Sequence, residues 1–202
     1  MASGRFNPEV ELPRGLEIGH VKRAIDKIES ELAGWTDLYH EQMNVFSAVV
    51  GIAAARVLSS VSPYEKNRHP DTAQQRFPDL CRRGAAKPLH PKDCLEVKGS
   101  KRAYELQSHY NHAGWYIVWR YLVDPTETIE TGKPVLITRV DIVFLESSDW
   151  KYEKSSAGHA GGGRTHTFGV SRAREKLKGK AVYERTDVVL KSGKWVAKNG
   201  DP

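Results

Sequence analysis

Two stretches constrain this chain's fold more than anything else in it: GWYIVWRYLV at 114–123 and PVLITRVDIVFL at 134–145. Both are dense in β-branched and aromatic residues, which fit a pleated surface. The turn-rich DPTETIETGKP that links them predicts an antiparallel pair. Apolar side chains dominate both parities of each run, so the pair is expected in the middle of a sheet and buried on both faces. Such a pair needs cover, and the upstream sequence offers it. Leu16, Val21, Ile25, Ile28 and Leu32 recur at helical spacing in a first helix over 16–35. Trp35-Thr36-Asp37 breaks that helix, and Asp37 is placed to cap a second one running to about Ser59. The second helix is apolar nearly all round and is expected at the centre of the core.

The remaining stretches are shorter. Residues 61–92 carry prolines and basic residues without periodicity and read as a loop-rich connection. DCLEVKG at 93–99 is a short strand, and SKRAYELQSHYNHA at 100–113 is polar and open to a helical reading. A glycine-rich loop at 157–164 and the basic SRAREKLKGK follow, then TDVVLKSGKWVAK, a hairpin turning at Ser192-Gly193. Helices followed by a sheet without βαβ regularity predict an α+β (mixed α/β) fold, a central mixed sheet flanked by helices. The organisation is read as one domain over 1–202. It has an N-terminal helical part at 14–60, a core carrying the chemistry at 64–150, and a basic C-terminal part at 151–202.

Composition narrows the setting. Of 202 residues, 39% are hydrophobic and 28% charged, as in a soluble globular chain. The longest apolar stretch, Val45 to Leu58, is interrupted by Ser47, Gly51 and Arg56, too short and too polar to span a membrane. The first residues carry charges and prolines instead of an apolar leader core, and Cys81 and Cys94 make no disulfide framework, so a cytoplasmic location is expected. The net charge of +6 is uneven: residues 151–202 hold twelve Lys/Arg against five Asp/Glu, and the rest of the chain is close to neutral. A basic region on a neutral body favours a polyanionic partner, most often nucleic acid.

The chemistry concentrates in FPDLCRRGAAKPLHPKDCLEVKG, 77–99. On a strand, Glu96 and Lys98 share one face while Leu95 and Val97 anchor the other. Asp79 is separated from Glu96 by sixteen residues, and a chain leaving a loop can deliver it alongside. Two adjacent carboxylates, completed by water and substrate phosphate, suit Mg²⁺. A lysine beside them can hold an attacking water and stabilise charge developing on the phosphate. Asp71, also preceded by proline, is the alternative first acid. A second acid-x-lysine, Asp149-Trp150-Lys151, follows the end of a strand with no Pro-Asp at suitable spacing before it, and is set aside.

Pro78-Asp79 with Glu96-Val97-Lys98 resembles the signature of the PD-(D/E)xK nuclease superfamily, whose best known members are type II restriction endonucleases. The resemblance covers about a tenth of the chain. It implies a mixed sheet flanked by helices, with the first acid at a strand start and the E-x-K on the next strand. It also implies Asp79 and Glu96 as metal ligands, Lys98 as the catalytic lysine, and Mg²⁺-dependent hydrolysis of double-stranded DNA at a specific site by a homodimer. Within that pattern Glu41 is the candidate for an accessory acid from the preceding helix, and Gln107 for a residue following the E-x-K. Lys101, Arg102, His109, Asn111, His112, Arg164 and His166 are the candidates for DNA contacts. The first helix or the aromatic strands are the candidate dimer surfaces.

Overall fold

The two β-rich runs pair as their composition requires. In the computed structural model, which describes residues 4–68, 76–154 and 166–198, β6 (Gly114–Val123) and β7 (Val135–Leu145) run antiparallel from Gly114 opposite Leu145 to Val123 opposite Val135. They are the middle of a seven-stranded sheet. On one side β7 is followed by β10 (Ala181–Arg185) and β1 (Gly4–Phe6). On the other, β6 is followed by β4 (Cys94–Ser100), β3 (Leu80–Arg82) and β2 (Tyr64–Lys66). Neighbours are antiparallel except β4 and β6, which are parallel. The fold is α+β.

Each face of the sheet has its own cover. On the helical face, α1 (Ile18–Leu32) and α3 (Met43–Val61) pack on Leu95, Val97, Ile117, Trp119, Ile142 and their neighbours. On the far face a smaller cluster of Tyr116, Val118, Val143 and Leu145 is closed by Leu106, Trp150 and Leu177. Over it lies a three-stranded antiparallel sheet of β5 (Gln107–Ser108), β9 (His166–Val170) and β8 (Trp150–Lys154). Trp115, Trp119 and Tyr121 are core residues of the helical face.

Two buried charge clusters lock these layers. Glu29 of α1 accepts the Ile137 amide at 2.9 Å beside a bulge in the β6–β7 register, and Lys133 bridges to it at 3.0 Å. Burial pushes the Glu29 carboxyl upward against the pull of that amide and Lys133. On the far face Asp141 lies between two guanidinium groups, Arg120 Nε at 3.0 Å and Arg139 Nε at 2.6 Å. Arg120 Nη1 also donates to the carbonyls of Arg102 (2.7 Å) and Glu105 (2.6 Å). This explains a departure from the sequence reading. Residues 101–106 are not helical, because the Arg102 and Glu105 carbonyls bond a buried guanidinium from β6 instead of serving a helix of their own.

The helical part departs too. The second helix is two: α2 (Thr36–Glu41) ends at Gln42, whose backbone (φ −143°, ψ 65°) is not helical, and α3 starts at Met43. The break sets Tyr39 edge-on to Phe46, itself fully buried against Tyr121. Nor is α3 buried all round: Val45 and Ile52 face outward, Ile52 with 63% of its surface exposed. The C-terminal hairpin, β11 (Val188–Lys191) and β12 (Lys194–Ala197), turns at Ser192-Gly193 with φ of 49° and 78°. Two positive φ values in a two-residue turn match the twist of antiparallel strands.

No helix among the described residues is long and apolar enough to cross a membrane.

Candidate active site

The register of one short hairpin assembles the site. Leu80 stands opposite Leu95 and Cys81 opposite Cys94. Extending that ladder by one residue puts Asp79 opposite Glu96, but β3 begins only at Leu80. Where the ladder stops, side chains replace it. The Val97 amide donates to Asp79 Oδ2 at 2.8 Å, and the Asp79 amide donates to Glu96 Oε2 at 3.0 Å. Each acid thus accepts from a backbone N–H across the gap, which holds the two carboxylates side by side at the mouth of the diverging strands.

The intervening loop is tied down. Arg82 Nε donates to Asp93 Oδ1 at 2.6 Å across the hairpin. The Arg83 amide reaches the Pro63 carbonyl at 2.9 Å, and its guanidinium reaches that of Ser59 at 3.0 Å. The basic residues nearest the acids are therefore partly structural. Gly99, the residue after the E-x-K, makes room for α3. A Cβ there would sit 2.4 Å from the Ser47 carbonyl oxygen and 3.0 Å from the Gly51 nitrogen. With no side chain at 99, the helix lies directly on the strand that carries the site.

Lys98 shares a face with Glu96 and meets it: Nζ lies 2.7 Å from Glu96 Oε1. The neighbouring strand supplies the floor, with fully buried Tyr116 in register with Glu96. Glu96 is 7% exposed, whereas Lys98 reaches further toward solvent. Burial, and then the Glu96 charge beside it, push the Asp79 carboxyl up to about 6 from its ordinary 3.8, with Lys98 and the Val97 amide opposing. Burial also pushes the Tyr116 phenol upward, reinforced by Glu96.

This donor set fits a hard dication. It offers two carboxylates with oxygen lone pairs to spare, buried and crowded enough that Asp79 keeps its proton up to about pH 6 although Lys98 and Lys66 pull the other way. No group of three or more His, Cys, Asp or Glu side chains suited to a metal occurs among the described residues, so water and substrate oxygens would complete the coordination. A pH dependence follows. With Asp79 as a ligand, binding would displace its proton, so Mg²⁺ affinity is expected to rise with pH until about 6 and to level above it, measurable by calorimetric titration between pH 5 and 8. The same shift acts on stability with a definite sign. Between pH 3.8 and about 6 the metal-free folded chain keeps a proton that the unfolded chain has lost, so this group lowers stability as pH rises through that window. An affinity flat between pH 5 and 7 would remove Asp79 from the ligand set.

The other candidates are scattered. Glu41 is not at a helix start facing the acids. It is the exposed last residue of α2, and the helices pack on the face to which Leu95 and Val97 point, opposite to Glu96. The sheet itself stands between them. Gln107 lies on β5, where Nε2 donates to Glu153 Oε2 at 3.0 Å. Arg102 is paired with Glu105 at 2.7 Å, and Lys101 contacts Met43. Gln107, Lys101 and Arg102 line a separate cleft of about 1010 Å³ beyond the far end of β4, with Tyr104, Arg174 and Trp195. His109, Asn111 and His112 are exposed on the segment leading into β6, and His112 stacks on Phe77, two residues before Asp79. Asp71 and Arg164 lie outside the described residues, as does the side chain of His166, the first residue of β9. The rival Asp149 is occupied by Lys176 and the Glu146 amide. Phe77, which stacks on His112, went unnoticed in the sequence, where a lone aromatic before Pro-Asp carries no signal.

No family model, curated protein or solved structure matches this chain.

Proposed function

We propose that this protein is a Mg²⁺-dependent endodeoxyribonuclease that hydrolyses DNA phosphodiester bonds at a specific double-stranded site, in the manner of type II restriction enzymes. The observation that carries the reading is the convergence of Asp79, Glu96 and Lys98 at the opening of one β-hairpin, with sixteen residues of chain between the two acids. A structural ion pair needs one acid and one lysine. Here a second carboxylate is held against the first at an electrostatic cost, which a metal-binding role explains and a structural one does not.

In this reading Asp79 and Glu96 hold the metal, which when bound supplies Lewis-acid stabilisation of the phosphate and an acidified water. The Val97 and Asp79 amides fix both carboxylates, so little reorganisation is needed on binding. Lys98 Nζ, 2.7 Å from Glu96 Oε1 and more exposed than that acid, would orient the attacking water and offset charge developing on the phosphate. Exposed His109, Asn111 and His112 line the approach. Lysines and arginines of the C-terminal part contribute phosphate contacts without sequence information. A homodimer matches the two-fold symmetry of a palindromic site, and the outward apolar positions of α3, Val45 and Ile52, are the surface this reading assigns to it.

Incubating plasmid DNA with the protein, with and without Mg²⁺, tests the function. Discrete fragments are expected; a smear would mean an unselective nuclease, and a gel shift without cutting a binding protein. Lys98 has its own test. Single-turnover cleavage by Lys98→Ala is expected to slow by about 100- to 1000-fold with metal affinity retained. Lys98→Arg should not recover the wild-type rate, because a planar guanidinium does not replace a compact ammonium. Equal rates for all three proteins would reduce Lys98 to a surface partner of Glu96.

A further inference from the structure

A column of aromatic rings rises beside the two carboxylates. Its base is Tyr116, fully buried, in register with Glu96 and packed on Trp150 with centroids 5.0 Å apart. Phe77, two residues before Asp79, lies 6.2 Å from Tyr116. His112 stacks on Phe77 at 4.5 Å with the planes 29° apart, and Tyr110 follows at 5.3 Å and 36°. The column ends in solvent, with Tyr110 58% exposed and His112 exposed. Its upper rings are held from below: Tyr116 Oη donates to the His112 carbonyl at 2.9 Å, and the Tyr110 amide to Ser108 Oγ at 3.4 Å.

A ring stack that only completes a core ends in the core. This one continues outward from the floor of the site and ends in two exposed flat rings, Tyr110 and His112. Nucleobases stack on such faces at about 1–3 kcal/mol each, whichever base it is. A base inside a duplex cannot reach them, since both its faces are already covered by its neighbours. Resting on the nuclease reading above, we infer that Tyr110 and His112 stack an unpaired nucleobase of the strand entering the carboxylate site. The substrate class is then a duplex in which one base near the scissile phosphate leaves the helix.

The test reads binding alone, in EDTA so that nothing is cut. Three short fluorescent duplexes are compared by anisotropy: fully paired, bearing one bulged adenine, and bearing a bulged abasic residue. Wild type is expected to bind the bulged adenine about 5- to 150-fold more tightly than the paired duplex, the range that stacking of one base corresponds to. The abasic bulge should bind like the paired duplex, which separates stacking from recognition of a bend. Tyr110→Ala should lose the preference and Tyr110→Phe keep it. If Tyr110→Ala does not fold, the wild-type comparison of adenine with abasic bulge decides by itself. Equal affinity for all three duplexes, or a preference that survives Tyr110→Ala, overturns the inference. If plasmid cutting persists alongside equal affinity, the nuclease reading stands and only the stacking site falls. Binding to none of the duplexes, with no cutting, removes both.

Discussion

Glu96→Gln is expected to lower Mg²⁺-dependent DNA cleavage by at least about 1000-fold, the upper scale for losing one preorganised charged group, while DNA affinity in EDTA changes little. Glu96 connects the whole site. It accepts from the Asp79 amide, pairs with Lys98, and sits in register with Tyr116 on the floor. Gln preserves the volume and an acceptor oxygen, so the hairpin mouth stays closed, but the carboxylate needed to hold a dication beside Asp79 is gone. Relieved of a neighbouring negative charge, Asp79 should titrate lower than in wild type, an effect visible by carboxyl NMR without any activity measurement. Affinity is spared because phosphate contacts by basic residues supply most nonspecific binding. Wild-type cleavage by Glu96→Gln would sink the assignment of Asp79, Glu96 and Lys98 together, since Glu96 is the residue that meets both of the others.

The second large effect is on stability. Asp141→Ala is expected to cost about 3–5 kcal/mol, the penalty for leaving a buried charge unpaired, a large part of the roughly 5–15 kcal/mol that holds a domain folded. Asp141 and Arg120 are both without exposed side-chain surface, and Arg139 is nearly so. Burial already pulls the Arg120 guanidinium downward, with Asp141 opposing, and its Nη2 has no hydrogen-bond partner. Without Asp141 two cations face each other inside the sheet, and the grip of Arg120 on the 102 and 105 carbonyls loosens with them. Urea denaturation measures the loss. A change below about 1 kcal/mol would mean that water or a rearranged Glu184, 2.9 Å from Arg139, neutralises the pair.

What was legible in the sequence is what depends on neighbours along the chain. Composition and period marked β6 and β7, because a strand buried on both faces must be apolar at both parities. Ser192-Gly193 marked a hairpin, because a two-residue turn takes positive φ, which glycine adopts freely and which this turn has at both positions. Even the site could be read in outline: an acid at 79 and an E-x-K at 96–98 coincide whenever the segment between them folds as one hairpin, and the sum of paired numbers, Leu80 with Leu95, is all the register needs. Other features were settled only when distant segments met. The sheet's two faces put the helices behind Leu95 and Val97 and the acids in front, so Glu41, the candidate from the preceding helix, lies at the end of α2 on the helical side. Arg120, an ordinary residue in a strand by sequence, took the carbonyls of 102 and 105 into the core and left residues 101–106 without a helix. The ring column joins residues 77, 110, 112 and 116 from two strand ends and a loop. Backbone propensity and hairpin register are local and therefore written in the order of residues; which face a side chain shares with a partner far along the chain is decided by packing.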